Sequence, residues 1–256
     1  MINSSPWLVR SGCHAPALRL YCFPYSGGHA GIYSSWHQAL GPSIEICAVQ
    51  LPGRAERFGE PPSTSMSEVV AALTALLSRD QDIPYGFFGH SFGALLAFET
   101  ARSCVENGLM EPVHFFASGC DAPQQRAPSR GLDLLSDQDL IAELSQCGGT
   151  PSALLANERA MRLFLPAIRS DLSMARTYVY ADGPSLSTPI SVLAGTYDDQ
   201  GMAKHSAAWS RETTGKASVH WFDGDHFFVN SHRREVLDLV RSLLRETLEC
   251  RSTATP

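Results

Sequence analysis

The 256-residue sequence predicts an α/β fold: a mostly parallel central sheet with helices on both faces and a helical insertion at about 121–183. Three observations predict it. Short apolar runs alternate with longer helix-forming stretches. Several of those runs end in small residues or a Pro-Gly turn, as strands do at the edge where such sheets bind ligands. The alternation breaks once, from Asp121 to Gly183, where only helical patterns occur.

Taken in order, Leu18-Arg19-Leu20-Tyr21-Cys22-Phe23 reads as a buried strand running into the small-residue loop Pro24–Gly31. Ile32–Leu40 reads as a short helix. Ile44–Val49 is the next strand and ends in Gln50-Leu51-Pro52-Gly53-Arg54, a turn. Ser65 and Glu68 have capping-box spacing and open an apolar-periodic helix to about Ser78. Tyr85–Phe88 is an aromatic strand, and Ala94–Arg102 is rich in helix formers. Further strands are expected in Pro112–Gly119, Pro189–Gly195 and Ala217–Phe222. Within the insertion, Ser136–Gln146 and Asn157–Tyr178 are helical, separated by Cys147-Gly148-Gly149-Thr150-Pro151. An insertion on the ligand-binding edge is expected to act as a lid. Arg234–Glu249 is an amphipathic closing helix, followed by an expected frayed tail.

Composition narrows the function classes. A net charge of -6 and the lack of a basic run give no reason to expect a nucleic-acid partner. No stretch has the length to cross a bilayer, and Met1–Trp7 lacks a signal-peptide pattern. The seven cysteines are odd in number and contain no Cys-x-x-Cys pair, which argues against a disulfide framework and a zinc site. A reducing cytoplasm is the expected compartment.

Between the aromatic strand and the helix that follows it lies Gly89-His90-Ser91-Phe92-Gly93. A Gly-x-Ser-x-Gly pentapeptide at a strand-to-helix turn has the form of a nucleophile elbow. Its glycines permit close packing while the serine sits strained at the tip. A serine hydroxyl needs a base, and the base an orienting carboxylate. In such sheets the chain order is Ser, then Asp or Glu, then His. Among nine histidines, His226 alone follows the last strand in a turn before the closing helix, and is the expected base. Asp198 leads as the carboxylate because Gly195-Thr196-Tyr197-Asp198 has Gly-x-x-Asp spacing, with Asp199 as the alternative. The oxyanion hole is expected from the backbone N–H of Phe92 and of Ser26, with Tyr25 next in line for the second position. A thioester suits this machinery, because a thiolate leaves with little assistance.

Taken together, Phe23–Gly28, Gln50–Arg54, Gly89–Ala94, Leu165–Asp171 and Gly224-Asp225-His226-Phe227-Phe228 resemble the type II thioesterases. These are free-standing α/β-hydrolases that accompany polyketide synthases and non-ribosomal peptide synthetases. The resemblance implies hydrolysis of acyl groups from the phosphopantetheine arm of acyl or peptidyl carrier proteins, clearing aberrant or stalled units. It assigns Ser91 as nucleophile, Asp198 as carboxylate, His226 as base, and Ser26 and Phe92 as oxyanion donors. No cofactor is expected beyond the arm that the substrate brings, and a monomer is expected.

Three positions depart from the family pattern: Phe92 where many members have Met, Asp225 where Gly is frequent, and Gln200 where Pro is frequent. The last loosens the choice between Asp198 and Asp199. A chain that begins almost at its first core strand is expected to be free-standing. The rival expectations are a small-molecule carboxylesterase or lipase-like hydrolase on the same fold, and a hydrolase-like binding protein without turnover. An arginine such as Arg126, Arg130 or Arg169 is expected near the entrance, facing an acidic carrier protein.

Overall fold

A computed structural model describes residues 5–126, 130–198 and 206–253. In chain order the elements are β1 (Leu8–Arg10), β2 (Leu18–Phe23), α1 (Trp36–Leu40), β3 (Ile44–Val49), α2 (Met66–Leu77), β4 (Tyr85–His90) and α3 (Phe92–Glu106). Then come β5 (Phe115–Ser118), α4 (Asp137–Cys147), α5 (Ser152–Leu155), α6 (Glu158–Thr177), β6 (Ile190–Gly195), β7 (Ala217–Phe222), α7 (Phe228–Ser231) and α8 (Arg233–Thr253).

The strands form one sheet in the order β1-β3-β2-β4-β5-β6-β7. All pairings are parallel except β1 with β3. Successive side chains of a strand point to opposite faces. Tyr21, Phe23, Phe87, Phe115 and Val192 therefore pack on one side with Val69 and Leu73 of α2 and Leu95 and Phe98 of α3. Leu18, Leu20, Cys22, Phe88, Phe116 and Leu193 pack on the other with Trp36 of α1 and Val236, Val240 and Leu244 of α8. With both faces covered, β3 and β4 are buried along their whole length. That is why β3 reads as a mostly apolar run, broken by Glu45, which pairs with Arg10 and Arg19.

Among the described residues between β5 and β6, the chain is helical with no strand. This insertion carries a small core of its own, built on Leu140, Met161, Leu165 and Ile168. The Ser65 hydroxyl accepts from the Glu68 N–H at 3.3 Å, so half of the expected capping box is present.

Three local features differ from the sequence reading. The helix expected over Ile32–Leu40 divides into a 3-10 turn, Ala30–Tyr33, and α1, with the weak helix formers Ser34 and Ser35 between them. The edge strand β1 was not expected; it is three residues long and only partly buried, too short to show a period. The closing helix runs on to Thr253, beyond the expected Glu249. No disulfide joins the described cysteines, and no described helix is long and apolar enough to cross a membrane.

Candidate active site

The elbow at Ser91 is built by close backbone approach. Ser91 has φ 55° and ψ −120°, a strained conformation for a residue with a Cβ. A Cβ on Gly89 would lie 2.4 Å from the Gly93 carbonyl oxygen, and one on Gly93 would lie 2.1 Å from that of Phe23. Neither clash involves a movable side chain, so both positions require glycine. The Ser91 N–H donates to the Ser118 carbonyl at 2.8 Å, tying the turn to β5. Ser91 itself is half-buried at the head of α3, while Phe92 is buried.

The expected carboxylate and base come from the next two strand ends. Asp198 follows β6 and His226 follows β7. His226 Nδ1 lies 2.8 Å from Asp198 Oδ2, with both side chains buried. The turns that carry them are laced together: Thr196 N–H donates to Phe222 O at 2.9 Å and Tyr197 N–H to Gly224 O at 3.0 Å. Gly195 allows this approach, since a Cβ there would stand 2.5 Å from the Asp225 carbonyl. A carboxylate on Nδ1 selects the tautomer in which Nδ1 carries the proton and Nε2 the lone pair of a base. The exposed Asp225 turns its carboxylate to the Phe227 N–H at 2.8 Å. Asp199, the alternative carboxylate, lies outside the described residues.

Ser91 reaches the same rim through its neighbour. The ring of His90, fully buried beneath the elbow, lies 5.1 Å from that of His226, centroid to centroid. Burial, reinforced by the neighbouring imidazole, holds His90 well below the usual histidine range, so it stays neutral. Its Nδ1 is 2.9 Å from the Ser118 hydroxyl. Among the described residues, the His226 ring is hydrogen-bonded to Asp198 and not to the Ser91 hydroxyl. That link is commonly loose in a substrate-free hydrolase.

The loop after β2 supplies backbone donors. Gly27 N–H is taken by Asp171 Oδ2 at 2.8 Å, and Gly28 N–H by Tyr25 O at 2.8 Å. The N–H groups of Ser26 and Tyr25, both on half-buried residues, are not engaged within the described chain. Nor is that of Phe92 at the first turn of α3, where helix geometry leaves N–H groups unpaired.

An aromatic wall closes the site on the insertion side. Tyr25 and Phe227 meet edge to face at 5.0 Å, and Phe227 also contacts His226 at 5.1 Å and His90 at 5.7 Å. Gly149, between α4 and α5, abuts the Phe227 ring, where an added Cβ would lie 2.1 Å from Cζ. The roles of Phe227, Arg54 and Asp171 were not read from the sequence, although each belongs to a segment that carried the family resemblance. The three arginines expected near the entrance are already engaged. Arg126 donates to Ala175 O at 3.4 Å, Arg130 pairs with Glu143 at 2.9 Å, and Arg169 pairs with Asp137 at 2.7 Å. Arg130 keeps the most exposed side chain of the two in ion pairs, 62% against 26% for Arg169. Among the described residues, no group of three His, Cys, Asp or Glu side chains stands together as a metal site would require.

Known proteins resemble the chain over most of its length. LgrE of Brevibacillus parabrevis, named a linear gramicidin dehydrogenase, is 35% identical over 251 residues, covering 96% of this chain and 95% of that protein. The thioesterase PikA5 of Streptomyces venezuelae is 35% identical over 249 residues, covering 96% and 88%. The type II thioesterase BorB from the borrelidin biosynthetic cluster superposes with a TM-score of 0.87 at 35% identity, covering 97% of this chain and all of that one. The family model of the thioesterase domain matches residues 18–244, from the first parallel strand into the closing helix, and the chain belongs to the thioesterase family.

Proposed function

We propose that this thioester hydrolase removes acyl groups from the phosphopantetheine arm of acyl or peptidyl carrier proteins, clearing aberrant or stalled units from a polyketide or non-ribosomal peptide synthase. The observation that carries the reading is the 2.8 Å contact between His226 and Asp198 on the rim that holds the strained Ser91. The likeness to BorB and PikA5, both named thioesterases, supports the substrate class. The name of LgrE does not argue for hydride transfer here. No two glycines of this chain stand two apart, so the Gly-x-Gly-x-x-Gly loop of dinucleotide sites is missing from the sequence.

In the proposed sequence, Ser91 Oγ attacks the thioester carbonyl as its proton passes to His226 Nε2. The negative charge on the carbonyl oxygen is met by the N–H groups of Phe92 and Ser26. Asp198 holds the tautomer and stabilises the imidazolium. The tetrahedral adduct collapses, the C–S bond breaks, and the thiol leaves with the proton from His226. Water, deprotonated by His226, then attacks the acyl-serine ester. The second adduct expels Ser91, which regains its proton, and the carboxylic acid departs. No cofactor enters beyond the substrate's own arm. We read the helical insertion at about 121–183 as a lid on a single α/β-hydrolase domain, acting as a monomer in the cytoplasm.

Loading a panel of acyl groups on a carrier protein and following release by intact-mass spectrometry tests this. Release by the native enzyme and its loss in Ser91→Ala are expected. Preference for free oxoesters over carrier-bound thioesters favours the carboxylesterase reading instead. Full activity in Ser91→Ala rejects the mechanism.

A further inference from the structure

We propose that Asp171 is a positioning residue: from helix α6 of the insertion it fixes the loop whose Ser26 N–H receives the oxyanion. The inference rests on the reading of Ser26 and Phe92 as the oxyanion donors. Asp171 is fully buried, with 0% of its surface exposed. Its Oδ2 accepts the Gly27 N–H at 2.8 Å and Arg54 Nη1 at 2.5 Å, and its Oδ1 accepts Arg54 Nη2 at 2.9 Å. Arg54, also buried, donates from Nη1 to the Gly28 carbonyl at 3.2 Å and from Nε to the Pro52 carbonyl at 3.3 Å. One carboxylate and one guanidinium thus hold the peptide group that joins Ser26 to Gly27 and the one that follows Gly28.

Packing reinforces the contact. Gly27 has φ +75°, and a Cβ on it would lie 2.5 Å from Ile168 Cγ1. Ile168 and Asp171 are three residues apart on α6 and so share a face. The helix seats both side chains on a glycine whose backbone it also hydrogen-bonds. The arrangement is costly as a mere staple. A buried ion pair is often no better for stability than apolar residues of the same size. A bidentate fork does fix orientation, which apolar packing does not. Oxyanion donors need that precision, because a displacement of about 1 Å lowers a rate by ~10²-fold. The ion pair also joins the insertion to the carbonyl-binding end of the site.

The test uses the full chain with Asp171→Asn, Arg54→Lys and the double variant Arg54→Met/Asp171→Leu. The double variant leaves no buried charge unpaired, so it is expected to fold even where a single variant does not. The assay is hydrolysis of a small acyl-N-acetylcysteamine thioester, with active sites titrated by a fluorophosphonate. The expected result is a fall of at least tenfold in kcat per titrated site in the double variant. KM stays within threefold and phosphonylation of Ser91 slows in step. Arg54→Lys is expected to retain part of the rate. A kcat per titrated site within twofold of the native value overturns the proposal, even if the melting temperature drops, since a structural role alone reduces the titrated fraction. Activity surviving in Ser91→Ala would instead defeat the underlying mechanism, so the two failures are told apart.

Discussion

Asp198 Oδ2 and His226 Nδ1 meet at 2.8 Å although 28 residues separate them in the chain. The pair lies where β6 and β7, adjacent and parallel, release their carboxyl ends into turns bonded to each other. Removing the charge while keeping the shape isolates its contribution. Asp198→Asn is expected to lower kcat by roughly 10³–10⁴-fold by favouring the wrong tautomer and leaving the imidazolium unsupported. The melting temperature should change little. Steady-state kinetics beside a thermal melt checks both, and fluorophosphonate labelling of Ser91 should slow with kcat.

The Phe23 carbonyl closes off Gly93 in the way the Gly93 carbonyl closes off Gly89. Gly93→Ala must displace β2, in the middle of the sheet, or α3, which packs on it. A loss of roughly 3 kcal/mol or more is expected, at the upper end for overpacking. Urea unfolding measures it. Gly12→Ala is the contrast: a Cβ there meets nothing within 4 Å, although φ is +70°. Its cost should be limited to backbone strain of about 1 kcal/mol.

The elbow glycines Gly89 and Gly93 could be interpreted from the sequence alone. The elbow was legible because its whole device lies within five residues. The parallel strands were legible because burial on both faces makes a mostly apolar run, as in Ile44–Val49, where Glu45 is the exception. Asp171 and Arg54 were not paired in advance. They are 117 residues apart, and a long-range ion pair leaves no local period. The choice between Asp198 and Asp199 was open for a similar reason: spacing puts both past the end of the strand and carries no orientation. His226 is bonded to Asp198.

His114 and His90 are buried imidazoles that bear on acid stability. Burial, with a smaller contribution from the neighbouring His220, brings His114 down from 6.5 to about 4, and His90 is also lowered. His114 Nε2 is 2.9 Å from the Ser191 hydroxyl, and its ring stacks on Phe116 at 4.4 Å. Each is neutral when folded and protonates in the unfolded chain near 6.5, so the unfolded state binds more protons below that pH. Stability is therefore full above about pH 6.5 and is lost as pH falls toward 4. The loss is at most ~1.4 kcal/mol per unit for each such group. Melting temperatures at pH 7, 6 and 5 should decline, and His114→Gln should flatten the decline.

Gly149 presses against the Phe227 ring so closely that an added Cβ would lie 2.1 Å from its tip. Tyr25 Oη also reaches the Gly149 carbonyl, at 3.5 Å. Gly149→Ala must therefore lift the α4–α5 connection off the aromatic wall or turn the ring toward His226. Lifting the loop is expected to expose it, raising the rate of limited proteolysis between α4 and α6 several-fold. It should also raise kcat/KM for long acyl thioesters relative to short ones. Proteolysis mapped by mass spectrometry, with kcat/KM for short and long acyl thioesters, checks the two effects together.

Charge reversal separates carrier binding from chemistry. Arg130 pairs with Glu143 and is mostly exposed, whereas Arg169, besides its pair with Asp137, donates to the Asp133 carbonyl at 2.8 Å and braces the insertion internally. An exposed pair contributes little to stability, about 0–1 kcal/mol, so Arg130→Glu should fold as the native chain does. Against an acidic carrier protein it should raise KM several-fold, an effect that shrinks as salt is added. The same variant should leave kcat/KM for a small thioester unchanged, because that substrate brings no carrier protein to meet Arg130. Arg169→Glu should act differently: it loosens the insertion, lowers the melting temperature and affects both substrates. Equal KM values for the carrier substrate in Arg130→Glu and the native enzyme, at low and high salt, would remove Arg130 from the docking surface.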